Sequence, residues 1–260
     1  MANEKLGITY IGGPTVLLEL AGLRLLTDPT FEAAGTEFPS GSASLHKLQG
    51  AFLGPEALGR IDAVLLSHDH HPDNLDPAGR ALLPRAGVVL TTTAGAERLG
   101  GNSIGLEPWQ DRDLVAADGR VMHVVATPAR HGPAHMDRGP VIGFALQPAD
   151  EPAAAVYVSG DTVWYEGVAE VGRRFPVAAA ILHLGAARVE QVGPFHLTMT
   201  ADEAVEAARA LPAAAIVPVH FEGWAHFSEG KAEIAAAFQQ AGLAERVHWP
   251  EPGGRIEVAI

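Results

Sequence analysis

The segment Leu65–Asp76, LLSHDHHPDNLD, constrains what this chain can fold into more than any other stretch. Its last nine residues contain three histidines and three aspartates. They follow the mostly apolar Ile61–Leu66, which predicts a short buried strand with both faces covered. Asp76 and Pro77 are typical of an N-cap followed by proline at the first helical position, which predicts a helix over Pro77–Leu83. The polar cluster is therefore expected on a loop at the carboxyl end of a strand, where open α/β sheets hold ligands.

The residue types in this loop favour a metal site. His68 and His70 are two apart, so in extended backbone both imidazoles project to the same side and can reach one cation. Asp73 follows in the same loop and can supply an oxygen to that centre or to one beside it. Imidazole and carboxylate without thiolate suit zinc, iron or manganese. The competing interpretation is a polar turn that caps the helix, but such turns seldom concentrate imidazoles after a buried strand.

Composition limits the class of protein. A chain of 260 residues, 47% of them hydrophobic, can form one large α/β domain with a sizeable core. The formal net charge of −13 argues against a nucleic-acid backbone or an anionic membrane surface as the partner. The absence of cysteine excludes disulfides and thiolate ligands. With no secretory pattern at the start and no apolar run of membrane-spanning length, we expect a soluble, cytoplasmic protein that acts on a small-molecule substrate.

The loop also resembles a known signature, the HxHxDH motif of the metallo-β-lactamase superfamily. It is closest to the SHxHxDHLD form of lactonase-like and phospholipase-D-like members. The matching positions are Ser67, His68, His70, Leu75 and Asp76. One extra residue, Pro72, shifts the aspartate to position 73, and Asn74 stands where the family has its third histidine. This departure concerns the second metal, for which three alternatives are open: His71 turning inward, Asn74 coordinating through oxygen, or His226 from a later loop.

Three later segments resemble the remaining ligand segments of the family, in the family's order. The resemblance implies His131, in TPARHG, as the third ligand of the first metal beside His68 and His70. It implies Asp161, in SGDT, as the carboxylate that bridges two metals. It implies His220, in IVPVHFEGW, as a ligand of the second metal.

Near the start, Thr27-Asp28-Pro29 resembles the family's TDP motif, while Gly13 replaces the usual histidine. Asp28 could hold a ligand histidine from behind, or Asp28-Pro29 could simply begin a turn; the sequence favours neither. His183 stands where family members usually have proline. His196 matches a histidine that precedes the following helix in the lactonase-like and phospholipase-like branch, and both histidines are candidate proton donors to a leaving group.

The order of elements predicts one αββα domain over residues 1–260, with two sheets face to face and helices outside. Ile104–Glu107 is expected in the second sheet, and Phe31–Gly54 as a loop over the site. Further helices are predicted over Ala94–Leu99, Val163–Phe175, Ala201–Leu211 and Ser228–Gln240, and a closing pair of strands in Val247–Ile260.

The resemblance implies a hydrolase dependent on two zinc ions, with Mn²⁺ or Fe²⁺ as alternatives. A pair of cations lowers the pKa of a shared water so that a hydroxide attacks a carbonyl carbon or a phosphorus. Asp73 would orient this nucleophile. Lactones, amides and phosphodiesters are the expected substrates. Because Gly13 and Asn74 depart from the family pattern, the alternative is a metal-binding protein of the same fold with weak or no hydrolytic activity.

Overall fold

Two sheets pack face to face in the structure, a computed structural model that describes residues 5–40, 43–212 and 214–260. Seven described strands form the first sheet. In spatial order they are β15 (Arg255–Ala259), β1 (Lys5–Gly12), β2 (Thr15–Leu20), β3 (Leu23–Thr27), β6 (Ala63–Leu65), β7 (Val88–Thr92) and β8 (Ser103–Leu106). Within this sheet, β3, β6, β7 and β8 run parallel to one another. The pairs β15–β1, β1–β2 and β2–β3 are antiparallel.

The second sheet contains six of the described strands. In spatial order they are β14 (Ala215–Val219), β13 (Val177–His183), β12 (Ala155–Val158), β11 (Ile142–Pro148), β10 (Val121–Pro128) and β9 (Asp111–Val115). Here β12, β13 and β14 are parallel and the rest antiparallel. A separate hairpin consists of β4 (Glu37–Ser40) and β5 (Ala43–His46).

Helices cover the outer faces of both sheets. They are α1 (Pro77–Leu82), α2 (Thr93–Leu99), α3 (Glu166–Arg174), α4 (Ala201–Ala210) and α5 (Lys231–Gln240). The largest apolar cluster lies between the sheets and includes Leu18, Leu25 and Phe144. Separate clusters lie under α1 and under α3 to α5. This four-layer arrangement confirms the predicted αββα sandwich.

The alternation of side chains explains why β6 is apolar throughout. Leu65 packs into the cluster between the sheets, and Val64 packs into the cluster beneath α1. Asp76 caps α1 as predicted, because its Oδ1 accepts the Gly79 N–H at 2.8 Å and Pro77 occupies the first turn. The loop between β6 and α1 is thus anchored at both ends.

Strand direction brings the predicted site residues to one edge of the sandwich. Asp28 follows β3, His68 follows β6 and Asp161 follows β12, while His183 ends β13 and His220 follows β14. All five strands belong to the parallel parts of their sheets. Since parallel strands expose their carboxyl ends at the same edge, side chains far apart in sequence meet there.

Two predictions about strands were wrong. Ile104–Glu107 was expected in the second sheet, but β8 pairs in parallel with β7 in the first. Helix α2 lies between these two strands as the crossover that a parallel pair needs. The tail from Val247 forms one strand, β15, in place of the predicted pair, and β15 joins the edge of the first sheet against β1.

Other elements differ in extent. The predicted loop Phe31–Gly54 contains the hairpin β4–β5, although positions 41 and 42 lie outside the described residues. Helix α3 begins at Glu166 and not at Val163. Helix α5 begins at Lys231, because the Ser228 hydroxyl donates to the Ala186 carbonyl at 2.7 Å and does not cap the helix. No described helix is long and apolar enough to cross a bilayer.

Candidate metal centre

Three imidazole nitrogens converge at the edge where the parallel strands end. His68 Nε2 lies 2.9 Å from His71 Nδ1, and that same Nδ1 lies 3.1 Å from His131 Nε2. A neutral imidazole carries one N–H, so hydrogen bonds alone cannot satisfy both contacts of His71 Nδ1. Burial lowers the pKa of His71 to about 2, that of His131 to about 4, and that of His68 well below its usual value. The three rings therefore stay neutral and keep lone pairs available for a cation.

Polar groups contact the opposite nitrogens of two of these rings, and for His131 the contact fixes the tautomer. His131 Nδ1 donates to the Leu197 carbonyl at 3.0 Å, and His68 Nδ1 lies 2.9 Å from the Ser67 hydroxyl. A metal-binding histidine is usually held in this way, because a hydrogen bond at one nitrogen sets the tautomer that frees the other. The Nε2 of His131 is thereby presented to the convergence point.

Asp161 lies where two groups of ligand atoms overlap. One group consists of Asp161, His68 and His131, and the other of Asp161, Asp73 and His220; in each, the ligand atoms lie within 4.8 Å of one another. Asp161 is fully buried. Burial raises its pKa well above the usual value, and the nearby carboxylates of Asp73 and Asp28 raise it further. A carboxylate in this position is costly for the fold unless positive charge accompanies it.

Asp73 lies between two imidazoles. His226 Nε2 lies 2.9 Å from Asp73 Oδ2, and His220 Nε2 lies 3.5 Å from the same oxygen. On its other side, His220 Nδ1 lies 3.2 Å from Asp161 Oδ1. Burial alone would raise the pKa of Asp73, but the adjacent His220 and His226 hold it well below its usual range. Asp73 is therefore a carboxylate at neutral pH.

Several buried polar atoms at this edge have no hydrogen-bond partner among the described residues, and their chemistry shows whether the site suits a cation. They are Asp73 Oδ1, Asn74 Oδ1, Asp161 Oδ2, His226 Nδ1 and both ring nitrogens of His220. Each such atom destabilises the fold by about 1–3 kcal/mol if nothing satisfies it. Carboxylate oxygens and imidazole nitrogens are ligands for zinc, iron and manganese. The residues present fit such an ion.

Backbone geometry holds His220 in place. Its φ of +56° is unusual for a residue other than glycine, and its N–H donates to the Gly13 carbonyl at 2.8 Å. Gly13 itself has a φ of +56°, and a Cβ there would lie 3.6 Å from Trp224 Nε1. Non-glycine residues with positive φ persist where the surrounding structure determines them, often at functional sites.

A cleft of about 310 Å³ opens beside these ligand atoms. Site residues form one wall, namely His71, Asp73, His131 and His226. The other lining residues are Leu45, Arg138, Ala187, Val189 and Leu197. Since Leu45 lies on β5, the segment predicted as a loop over the site does contribute to it, as part of a hairpin.

A family model described as a beta-lactamase superfamily domain matches residues 23–221. The chain belongs to the metallo-β-lactamase superfamily. It is 24% identical to a "UPF0173 metal-dependent hydrolase" of Caldivirga maquilingensis over 97% of this chain and 98% of that one. A protein of the same description from Opitutus terrae is 29% identical over 96% of this chain and 99% of its own.

A solved structure supports the fold. The crystal structure of isothiocyanate hydrolase from Delia radicum gut bacteria has a TM-score of 0.81 and 23% identity, covering 98% of this chain and all of that one. At that identity the likeness shows the metallo-β-lactamase fold alone.

The extra residue in the superfamily motif changes which histidine turns inward. Residues 67–75 form bends and a turn and not a strand. The alternation of side chains along a strand therefore does not set the directions of His68 and His70. His70 Nε2 bonds the Arg138 carbonyl at 2.9 Å and its side chain is exposed, although His70 can still join His68 and His71 in one group. His71 contacts both His68 and His131. His71 is one of three candidates to complete the second metal site. It turns inward, but towards the group of His68 and His131 and not towards the group of Asp73 and His220.

The other two alternatives lie on the second group. Asn74 Nδ2 lies 3.1 Å from Asp161 Oδ1, so its amide contacts the shared carboxylate. His226 contacts Asp73 and leaves Nδ1 without a partner among the described residues. The sequence pointed to His226 only through its position six residues after His220 in a polar loop.

The remaining predicted residues lie behind or beside the centre. Asp28 holds a histidine, His183, whose Nε2 lies 3.0 Å from its Oδ2; its Oδ1 accepts the Ser67 N–H at 2.7 Å. Asp28 thus positions the residue before His68. His183 is fully buried with its ring against His220, and His196 Nε2 contacts Glu203 at 3.0 Å in the capping box of α4. Neither His183 nor His196 lines the cleft.

Proposed function

We propose that this protein is a metal-dependent hydrolase with two adjacent cation sites. The observation that carries the proposal is the position of Asp161, which belongs both to the group with His68 and His131 and to the group with Asp73 and His220. The two relatives named above are similar to this chain over nearly their full length and are described as metal-dependent hydrolases. Their descriptions support the hydrolase part of the proposal.

The residues that would hold the first ion are proposed as His68, His71, His131 and Asp161, with His70 as a further donor at the exposed edge. Those that would hold the second ion are proposed as Asp161, Asp73 and His220, with His226 in place of the family's third histidine. The identity of the ion is proposed as zinc, since imidazole-rich sets suit it, with manganese and iron as alternatives.

Two divalent cations held by these residues would polarise a substrate oxygen and bring the pKa of a bound water from about 16 towards 7. The chain's own residues orient the reactants. Asp73 lines the cleft, is a carboxylate at neutral pH, and has one oxygen, Oδ1, without a partner among the described residues. The Asp73 oxygen that does not hold the second ion can accept a hydrogen bond from the attacking water and then its proton, as a positioned general base does.

The cleft also limits the substrate. The 310 Å³ of the cleft includes open solvent, and its cavity volume proper is only about 20 Å³, well below the roughly 300–1,000 Å³ of typical small-molecule sites. We therefore propose a compact lactone, amide or phosphodiester and not a polymer. The sequence also predicts His196 or His183 as the proton donor to the leaving group. Neither of them lines the cleft. The variant His196→Ala checks this role directly, and unchanged turnover of the best substrate would remove His196 from the mechanism.

The test is turnover with and without metal. Protein stripped with a chelator and reloaded separately with Zn²⁺, Mn²⁺ or Fe²⁺ is assayed against a γ-lactone, an N-acyl amide and an aryl phosphodiester. We expect at least one substrate to be hydrolysed only by reloaded protein, and Asp73→Asn to slow it about 10²–10⁴-fold. Asp113→Asn, on exposed β9, is the matched control and should keep the wild-type rate.

Two results would contradict the proposal. One is equal turnover by stripped and reloaded protein; the other is full activity in Asp73→Asn. Firm metal binding without turnover of any substrate in the panel would instead favour a metal-binding protein of the same fold, the alternative motivated by Gly13 and Asn74.

A further inference from the structure

Arg138 is the cation on the wall of the cleft, and its backbone is tied to the metal centre. Its N–H donates to the His131 carbonyl at 3.0 Å, and its carbonyl accepts from His70 Nε2 at 2.9 Å. The next residue, Gly139, has a φ of +112°, and a Cβ there would come within 3.0 Å of His70 Nε2. The chain therefore passes close over His70, and this fixes where the Arg138 side chain begins.

The guanidinium of Arg138 has no hydrogen bond or ion pair to any residue in the ranges 5–40, 43–212 and 214–260. Elsewhere in this acidic chain arginines are commonly paired. Arg98 bonds Asp69 at 2.9 Å, and Arg174 bonds Glu170 at 2.8 Å. Arg138 is partly exposed, so its guanidinium keeps contact with solvent and has no anionic partner from the described part of the protein. Its position in the cleft suggests that the missing partner belongs to a ligand.

Besides the metal ligands and Arg138, the remaining residues that line the cleft are apolar. They are Leu45, Ala187, Val189 and Leu197, three of them buried and Val189 partly so. A ligand in this cleft therefore meets ligand atoms for a cation on one side, an apolar surface on another, and a single guanidinium. Arginine binds planar oxyanions through two parallel N–H groups, which makes carboxylate and phosphate its best partners.

We propose that Arg138 determines substrate specificity by binding an oxyanionic group, carboxylate or phosphate, on a compact substrate whose apolar part contacts Leu45 and Leu197. This inference deepens the proposed function and rests on it, because it takes the cleft to be the substrate site. It adds that neutral analogues of the substrate are poor ligands, even though the cations alone would accept a neutral carbonyl.

Binding of small probes tests the inference without requiring turnover. Metal-loaded wild type, Arg138→Met and Arg138→Lys are titrated by calorimetry with butanoate, butanamide and butyl phosphate. Butanoate and butanamide have nearly the same shape, so their comparison isolates the negative charge. Because the cations also attract anions, the quantity of interest is the change between wild type and variant. Arg112→Met, on the exposed strand β9, removes an arginine of the same chain outside the cleft.

We expect Arg138→Met to weaken butanoate about 10- to 100-fold, the usual effect of a lost hydrogen bond to a charged group, and to leave butanamide within about twofold. Arg138→Lys should restore part of the loss, since it keeps the charge without the two-pronged geometry. Arg112→Met should bind all three probes like wild type. A larger loss for butyl phosphate than for butanoate would assign the oxyanion as phosphate, and the reverse would assign it as carboxylate.

Equal affinity of wild type and Arg138→Met for both anions would overturn the inference, provided that metal content and thermal midpoint are unchanged. If Arg138→Met does not fold, Arg138→Gln, which also removes the charge, takes its place, and wild-type affinity of that variant for both anions overturns the inference in the same way. Failure of the proposed function has a different signature. In that case no variant binds metal or hydrolyses a substrate, whereas a wrong role for Arg138 leaves metal and turnover intact and alters neither anion's affinity.

Discussion

Replacing Lys47 by methionine should destabilise the protein more than an ordinary surface substitution does. Lys47 is 3% exposed and its Nζ lies 2.9 Å from Asp76 Oδ2, which is also buried. Burial lowers the pKa of Lys47 although Asp76 acts to raise it. The pair joins the segment after β5 to the residue that caps α1. Methionine keeps the apolar stem beside Trp224, over whose ring the ammonium lies at 5.3 Å, so the change removes mainly the charge.

The expected loss in the free energy of unfolding depends on the hydrogen bonds that Asp76 retains after Lys47 is replaced. Removing one partner of a buried ion pair typically costs about 3–5 kcal/mol. Asp76 retains the N–H groups of Gly79 at 2.8 Å and Glu32 at 2.7 Å, and donors to a charged group each contribute about 1.5–3 kcal/mol. The remaining carboxylate is thus only partly uncompensated, and we expect a loss of about 2–3 kcal/mol in the free energy of unfolding.

Urea denaturation measures this directly. With m near 2–3 kcal/mol/M, the midpoint should fall by about 1 M without a change in m. The matched control is Lys5→Met, which breaks the exposed pair with Glu257 and should cost at most about 1 kcal/mol. Equal losses in Lys47→Met and Lys5→Met would refute this reasoning.

Two further predictions concern the histidines. His71→Ala should lower the content of bound metal more than His70→Ala does, because His71 Nδ1 converges with two other ring nitrogens while His70 is exposed and bonded to a carbonyl; elemental analysis with the reverse order would refute it. The metal-free protein should be less stable at pH 5 than at pH 7. The pKa values of His71 and His131 are lowered to about 2 and about 4 in the folded state, so the unfolded chain binds more protons as the pH falls through about 6.5. A thermal midpoint of the chelated protein that is the same at both pH values would contradict this.

Local pattern predicted the framework of the site well. The cap at Asp76 and the buried strand before His68 follow from short-range chemistry, and the structure shows both. Strand direction explains why His131, Asp161 and His220 meet, which their spacing in sequence alone would not show. Strands β12 and β14 run in the same direction, and β10 shares it because β11 between β10 and β12 is antiparallel to both. The resemblance to the superfamily supplied their order, and strand direction supplies the physical reason.

What the sequence could not decide depends on non-local geometry. Pro72 alters the path of the metal loop, and only the folded turn shows that His71 and not His70 faces His131. Arg138 gave no signal because it lies in a loop of ordinary composition, and its importance comes from what lies around it. Leu45 was hidden for the same reason, since the hairpin that carries it is held by long-range contacts such as the Lys47–Asp76 pair.

The central claim is that Asp161 is shared by two cations, and metal stoichiometry tests it most directly. Wild type, Asp161→Asn and Asp69→Asn are loaded with zinc, desalted and measured by elemental analysis. Asp69 lies in the same loop but pairs with Arg98, so its variant is the matched control. We predict about two equivalents for wild type and for Asp69→Asn, and one or fewer for Asp161→Asn. One equivalent or none in wild type, or two retained in Asp161→Asn, would contradict the claim.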